Sequence, residues 1–394
     1  MYQKNFYNLL EKFLKIQFEI KLPKKNKILI FDKEGSDTLK KTLGLKSFEI
    51  LHVRNEKINL VVVFLLAIKL KLNYFNYYLK IIELTDPKLV LTFIDNNINF
   101  YKLKNFFKTK IFISVQNGQR MAWGDIFGIL KNKKKINNLT ADYIVTFNKN
   151  ISKKYKEYIK CETLNYGSLK NNHVPIKKFS PLRNNSLLYI SYFRNEFLDV
   201  QNKTIRLNEY ESRNNKKYKS KLVNHIHFEL PKILDNFCKN NNMKLNILGM
   251  SMGMSNSNKE FFFYKNILKY KFFFIKRKNL FSNYRKLQNH NLIVSSTSTL
   301  GYEALARNSK ICFTSPNISK KEASHKFGWP YVKSNNDFFF TNNFDQKKIE
   351  KILINLKNMS NLVWNKKIKR YKKNLMDFDY KNSQLKKKIY DILH

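Results

Sequence analysis

Cysteine is scarce in this chain: Cys161, Cys238 and Cys312 are the only three among 394 residues, and they lie far apart. With no CxxC pair and no clustered histidines, neither a disulfide framework nor a zinc site is indicated, and a reducing cytoplasm fits. Long apolar runs are also missing. The most apolar stretch, Leu60 to Ile68, falls far short of the roughly 20 residues that span a bilayer, so any membrane role is expected to be peripheral, at the inner face. A signal peptide is not expected, because charged and apolar residues alternate from Lys4 to Lys21, a pattern that reads as an amphipathic helix. Acidic residues are few, 29 against 75 Lys and Arg, which leaves a net charge of +46.

Such a charge attracts polyanions in general. Here Lys, Asn, Ile, Phe and Tyr are enriched together while Gly and Pro number only 10 and 7, the bias of a genome poor in G and C. Runs such as Lys131 to Lys135 and Lys386-Lys387-Lys388 therefore read mainly as solvated helix ends, with attraction to anionic lipid or a polyanionic substrate as the alternative. Aromatics lie in apparent core strands and are not interleaved with the basic runs, so no nucleic-acid partner is expected. A hydrophobic content of 43% with 26% charged residues describes a globular chain, and the length suggests two domains.

Apolar strands alternate with helices throughout, the grammar of a parallel α/β sheet. In the first half the expected strands are Lys27–Phe31, Phe48–Val53, Leu89–Ile94, Lys110–Val115, Tyr143–Phe147 and Thr163–Tyr166. In the second half they are Leu187–Tyr192, Lys244–Leu248, Phe272–Ile275 and Leu292–Val294. A Lys/Asn-rich segment, Asn202 to Lys221, is expected as a loop, followed by a helix from about Leu222 to Asn240. The expected division is an N-terminal domain over 1–175, a C-terminal domain over 176–345 and a helical tail over 346–394.

The most informative stretch is Leu292 to Pro316, where a buried-type strand stops at Ser295-Ser296-Thr297-Ser298-Thr299 and a helix follows. With Ser298 or Thr299 as N-cap, the first turn presents unpaired N–H groups and the positive end of the helix dipole, a site that favours an anion. Gly301 leaves that turn without a side chain, so a phosphate or a neighbouring backbone can approach. Glu303 repels phosphate unless it turns to accept hydrogen bonds from sugar hydroxyls, which points to a nucleotide ribose. Ordinary capping explains a lone hydroxyl there; five in succession favour the phosphate cradle.

Ligands of parallel sheets bind at the carboxyl ends of the strands. The first half offers Asp32, Glu34, Asp95, Gln116, Asn117 and Arg120 there, an acid and amide edge. The second offers Gly249, Ser251, Arg277 and the hydroxyl turn. Acceptor activation on the first and a nucleotide diphosphate on the second is the expected arrangement.

The run Ser296 to Ala306 resembles the donor-site segment of glycosyltransferases of bacterial surface-polysaccharide and O-antigen biosynthesis. Weaker agreement comes from Ile30 to Asp37, Leu51-His52-Val53-Arg54, Ser114 to Gly118, Phe327-Gly328-Trp329-Pro330 and Asp379 to Asn382. The resemblance implies a GT-B architecture of two facing Rossmann-like domains, and sugar transfer from a nucleotide-sugar donor without a metal or other cofactor. An oligosaccharide or lipid-linked acceptor is implied with it. Related polymer-building transferases carry a His-Gly pair whose histidine is read as the base; here the pair is Asn117-Gly118, and asparagine takes no proton at neutral pH.

Direct displacement needs a base for the acceptor hydroxyl and cations or N–H groups for the departing diphosphate. Asp95 is the first candidate for base and Glu34 the second. Ser295, Ser296, Thr297, Ser298, Thr299, Gly301, Glu303, Gly249 and Arg277 are the donor candidates, while Gln116, Asn117 and Arg120 would orient the acceptor. Asp377-Phe378-Asp379 has the DxD spacing of metal-binding transferases, but its place between two helices reads better as a linker with a cap at Asp379. His225 and His227, two apart on an expected helix, point to different faces. Alternative expectations are a CDP-polyol phosphotransferase or nucleotide-sugar epimerase of similar fold, and a non-catalytic polyanion-binding protein.

Overall fold

The computed structural model describes residues 16–122, 125–132, 138–176, 185–193, 228–287, 289–315 and 326–394, and four two-residue strands between 198 and 218. The chain divides into two compact units. Unit 1 comprises Met1–Asn117, Ile129–Leu169 and Asp379–His394; unit 2 comprises Gly118–Gly128 and Lys170–Phe378.

Unit 1 contains β1 (Gln17–Glu19), β2 (Ile28–Phe31), β3 (Glu49–Leu51), β4 (Lys57–Asn59), β5 (Leu89–Thr92), β6 (Ile111–Val115), β7 (Thr140–Thr146) and β8 (Lys160–Asn165). Six of them form one sheet in the order β3-β2-β5-β6-β7-β8, parallel throughout. The continuous apolar runs of β2 and β5 are buried along their whole length, as a sheet covered on both faces requires. The helix Ser36–Leu43 buries Ser36, Leu39, Thr42 and Leu43, one face at helical spacing. It starts from Gly35, whose φ is +85° and whose place admits no side chain, since a Cβ there would lie 2.7 Å from the Phe93 ring.

One feature of unit 1 departs from expectation. Residues 17–19 are a strand, β1, paired in parallel with β4, where an amphipathic helix was expected; Lys4 to Lys15 lie outside the described residues. The segment 346–394 forms the three helices Gln346–Asn358, Asn361–Leu375 and Ser383–Leu393. The first two belong to unit 2, while the last places Leu385 and Ile389 in the core of unit 1 beside Ile30, Leu91 and Val115. Asp379 caps that last helix, accepting from Ser383 Oγ at 2.9 Å and Gln384 N at 3.1 Å.

Unit 2 contains β9 (Ser186–Ile190) and four short strands, β10 (Leu198–Asp199), β11 (Thr204–Ile205), β12 (Tyr210–Glu211) and β13 (Lys217–Tyr218), which form two antiparallel pairs; the last three of these strands fall within Asn202 to Lys221, where a loop was expected. The strands β14 (Lys244–Met252), β15 (Phe272–Arg277), β16 (Leu292–Ser295), β17 (Ile311–Thr314), β18 (Asn336–Asp337) and β19 (Phe340–Thr341) follow. The sheet order is β15-β14-β9-β16-β17-β19-β18, and only β18 runs antiparallel to its neighbour. The first five strands thus follow the Rossmann order, with the topological switch point between β9 and β16. The helix expected from Leu222 is described as Leu230–Asn240, and His225 and His227 lie outside the described residues. Two expected turns are strand: β14 continues through Gly249 and Ser251 with a register shift after Leu248, and β15 includes Arg277.

Candidate functional site

In unit 2 the hydroxyl turn follows β16 directly at the switch point, where ligands of open α/β sheets bind. Ser298 is the N-cap of the helix Thr299–Ala306, and its side chain accepts from Leu300 N at 3.3 Å. Thr299 Oγ1 accepts from Gln119 N at 2.9 Å, so one hydroxyl of the turn holds the Gly118–Gly128 segment of the same unit. Thr297 is half-buried. Ser295 and Ser296 are buried, and neither Oγ has a hydrogen-bond partner. A buried hydroxyl left unmatched costs about 1–3 kcal/mol, and two of them beside a capped helix start leave an unmet demand for polar contacts.

Gly301 answers a need other than the expected one. A Cβ there would lie 2.6 Å from Ser295 Oγ and 2.9 Å from Phe313. The glycine lets the helix sit against its own strand, which is a packing requirement. The Phe327-Gly328 pair meets this helix as well: Phe327 stacks on Tyr302 with ring centroids 5.5 Å apart, and Gly328 N donates to Tyr302 Oη at 2.9 Å.

Glu303 is buried, and its Oε2 accepts from Tyr284 Oη at 2.8 Å. Burial, and then the neighbouring Glu303 charge, pushes the Tyr284 phenol well above its ordinary range. The Arg307 guanidinium lies over the Tyr284 ring at 5.6 Å and donates to Asn171 Oδ1 at 2.6 Å, Asn171 O at 2.7 Å and Val174 O at 2.6 Å. In this geometry Glu303 belongs to a buried network that anchors the helix to residues 171–174.

The neighbouring edge of β14 is held by a residue that its sequence context did not single out. Glu260 is fully buried and accepts from Met250 N at 3.1 Å, Ser251 N at 3.0 Å and the Ser191 hydroxyl, which also meets Tyr264 Oη at 2.8 Å. Its signal was a single acid set directly before the run Phe261-Phe262-Phe263. Gly249 O accepts from Asn283 Nδ2 at 3.0 Å, and Arg277 Nη1 donates to Met250 O at 3.2 Å. The expected donor residues Gly249 and Arg277 therefore lie on the adjacent strands β14 and β15.

In unit 1 the sheet edge is organised by paired charges. Asp32, at φ +85° after β2, accepts from Glu34 N at 2.9 Å and from Arg54 Nε at 3.0 Å. Burial raises the Asp32 pKa, against the lowering effect of the Glu34 N–H and the Arg54 charge. Glu34 is 60% exposed and pairs with Arg54 Nη1 at 2.5 Å. Arg54 and Asp32 line a groove of about 420 Å³ with Asn96, Asn97 and Asn99. Arg54 was named only within a motif; its pairing across 22 residues left no local trace.

Asp95 is 0% exposed. Its carboxylate accepts from Asn117 N at 3.1 Å and from the Tyr155 hydroxyl, a geometry suited to holding the Asn117 turn. Gln116 is buried too, its Oε1 accepting from Phe147 N at 2.9 Å. Arg120, on the Gly118–Gly128 segment of unit 2, is buried 3.8 Å from Asp125 Oδ2. The three expected acceptor residues are thus positioned by structural partners, Asn117 through its backbone. Among the described residues no group of three or more His, Cys, Asp or Glu could hold a metal ion.

Residues 113–391 match the family described as "putative O-antigen biosynthesis protein". No curated protein matches the sequence. Among solved structures the chain trace is similar to that of the wall teichoic acid polymerase TagF, at 13% identity and a TM-score of 0.48, covering 94% of this chain and 89% of that one. It is similar also to S. aureus MnaA in its complex with UDP, at 13% identity and 0.49, covering 93% and 95%. A glycosyltransferase from Rickettsia africae is matched at 12% identity and 0.48, covering 94% and 99%.

Proposed function

The chain belongs to the family of O-antigen biosynthesis proteins, and on that premise we propose that it is a glycosyltransferase that moves a sugar from a nucleotide-sugar donor to a surface-polysaccharide acceptor. The observation that carries this is the pair of unpartnered buried hydroxyls, Ser295 and Ser296, directly before a Ser298-capped helix at the switch point of a Rossmann-order sheet. Backbone N–H groups at that helix start would receive the diphosphate, and Arg277 at the end of β15, whose charge acts on Tyr284 beside the donor helix, would supply positive charge as it departs.

The acid edge of unit 1 is assigned to the acceptor. Glu34 is the proposed base, because its carboxylate is exposed and oriented by Arg54, and deprotonation requires contact with the acceptor hydroxyl. Asp95 is assigned to positioning the Asn117 turn. Tyr284, Glu303 and Arg307 would hold the donor helix, with Glu303 turned to the ribose only if a nucleotide displaces Tyr284.

The test is thermal unfolding with a panel of nucleotides and nucleotide sugars. A ligand at 100 times its Kd adds about 2.7 kcal/mol of stability, so one nucleoside diphosphate and its sugar derivatives should raise Tm by several degrees. If no nucleotide does so, the donor-site assignment fails. Product analysis with the stabilising donor then separates transfer of the sugar from transfer of a polyol phosphate or epimerisation.

A further inference from the structure

The nine residues Leu60 to Ile68, LVVVFLLAI, form a helix that is apolar on every face, yet only Val62 and Leu66 are buried. A helix with no polar face is normally enclosed. This one exposes Leu60, Phe64 and Ile68 at i, i+4 spacing, Phe64 to 64% and Ile68 to 65%. The turn that follows adds Leu70, 94% exposed, and Leu72. Strand β1 contributes Phe18, and the residues that follow it contribute Ile20 and Leu22, all exposed. They adjoin the helix start, because β1 pairs with β4 and Asn59, the helix N-cap, donates through Nδ2 to Lys21 O at 2.6 Å. Apolar exposure on this scale marks an interaction surface.

Charge identifies what the surface fits. Lys21, Lys69 and Lys71 are exposed within it, no Asp or Glu occurs between Leu60 and Ile82, and Glu19 is matched by Lys57 at 2.9 Å. An apolar face rimmed by lysine is complementary to an anionic bilayer, whose headgroups attract the lysines while the acyl boundary receives the apolar side chains. A second copy of the chain is the poorer fit, because each copy carries a net charge of +46 and repels the other. Among the described residues no helix is long and apolar enough to cross a membrane, so the contact is one that lies on the surface.

We propose that the Leu60–Ile68 helix, the Leu70–Leu72 turn and the exposed Phe18, Ile20 and Leu22 dock this protein on an anionic lipid bilayer. The proposal goes beyond the transfer reaction and stands without it. The experiment is co-sedimentation of the full chain with vesicles of phosphatidylglycerol and phosphatidylethanolamine, and with vesicles of phosphatidylcholine alone. Wild type should partition to the anionic vesicles at least tenfold more than to the neutral ones, with a decrease as salt is raised. The double variant Phe64→Glu/Leu70→Glu should lose at least tenfold in partition, and Lys69→Glu/Lys71→Glu should lose both binding and salt dependence. All variants should keep the wild-type Tm and nucleotide response, since every substituted side chain is exposed, so a failed donor-site assignment is read separately. Wild type that stays in the supernatant with both vesicles, or a Phe64→Glu/Leu70→Glu variant that sediments like wild type, overturns the proposal. So does a wild-type dimer that the same variant dissociates, which assigns the face to a second copy.

Discussion

The carboxyl edges of the two sheets satisfy their polar groups in opposite ways. In unit 1 the chemically capable residues are matched to one another: Asp32 to Arg54, Glu34 to Arg54, and Asp95 to Asn117 N and Tyr155. In unit 2 the scaffold is matched, with Glu260 holding the β14 edge, while Ser295 and Ser296 are left without partners. An edge whose acids are paired holds a shape. An edge with unmet hydroxyls beside a helix start has a shape and an appetite for a polar ligand, which is why the donor assignment rests on unit 2.

The largest effect expected from breaking this contrast is at Glu260. Glu260→Leu leaves two backbone N–H groups and the Ser191 hydroxyl without their acceptor, and denaturant unfolding should show a loss of about 3 kcal/mol or more. Nucleotide response should fall with it, since Met250 and Ser251 border the donor edge. A smaller effect is expected at Asp95. Asp95→Asn weakens charge-assisted bonds to Asn117 N and Tyr155, for a loss of about 1–3 kcal/mol, while sugar transfer measured below the unfolding range persists. An Asp95→Asn protein of unchanged stability with transfer abolished would make Asp95 the base and return Glu34 to a surface role. The change expected in the free protein for Ser296→Ala is of opposite sign, a gain of up to about 1–3 kcal/mol because a buried hydroxyl without a partner is removed, together with a reduced Tm shift from the stabilising nucleotide. A destabilised Ser296→Ala with an intact nucleotide response would show that the hydroxyl serves the scaffold.

Much of the fold was legible because its signals are local. The buried apolar runs at Ile28–Phe31, Leu89–Thr92 and Leu292–Ser295 mark strands wherever their neighbours lie, and a serine before helix formers caps whatever helix follows, as Ser298 does. Candidate residues were harder to rank. Asp95 and Glu34 look alike as acids after apolar strands, but one is sealed by Tyr155, 60 residues away, and the other is exposed. Glu260 escaped notice because its partners, Ser191 and Met250 N, come from other elements.

The sequence by itself determined the alternation of strands and helices, the hydroxyl turn with its cap, and the lack of any stretch long enough to span a bilayer. These follow from backbone propensity, side-chain period and capping, which act within a few residues. Tertiary structure decided the Rossmann order that puts the turn at the switch point, the return of Ser383–Leu393 to the core of unit 1, and the exposure of Leu60–Ile68. It also decided which polar groups are matched and which are left open. Burial and pairing depend on what the rest of the chain brings alongside, and that is set by contacts between residues far apart in sequence.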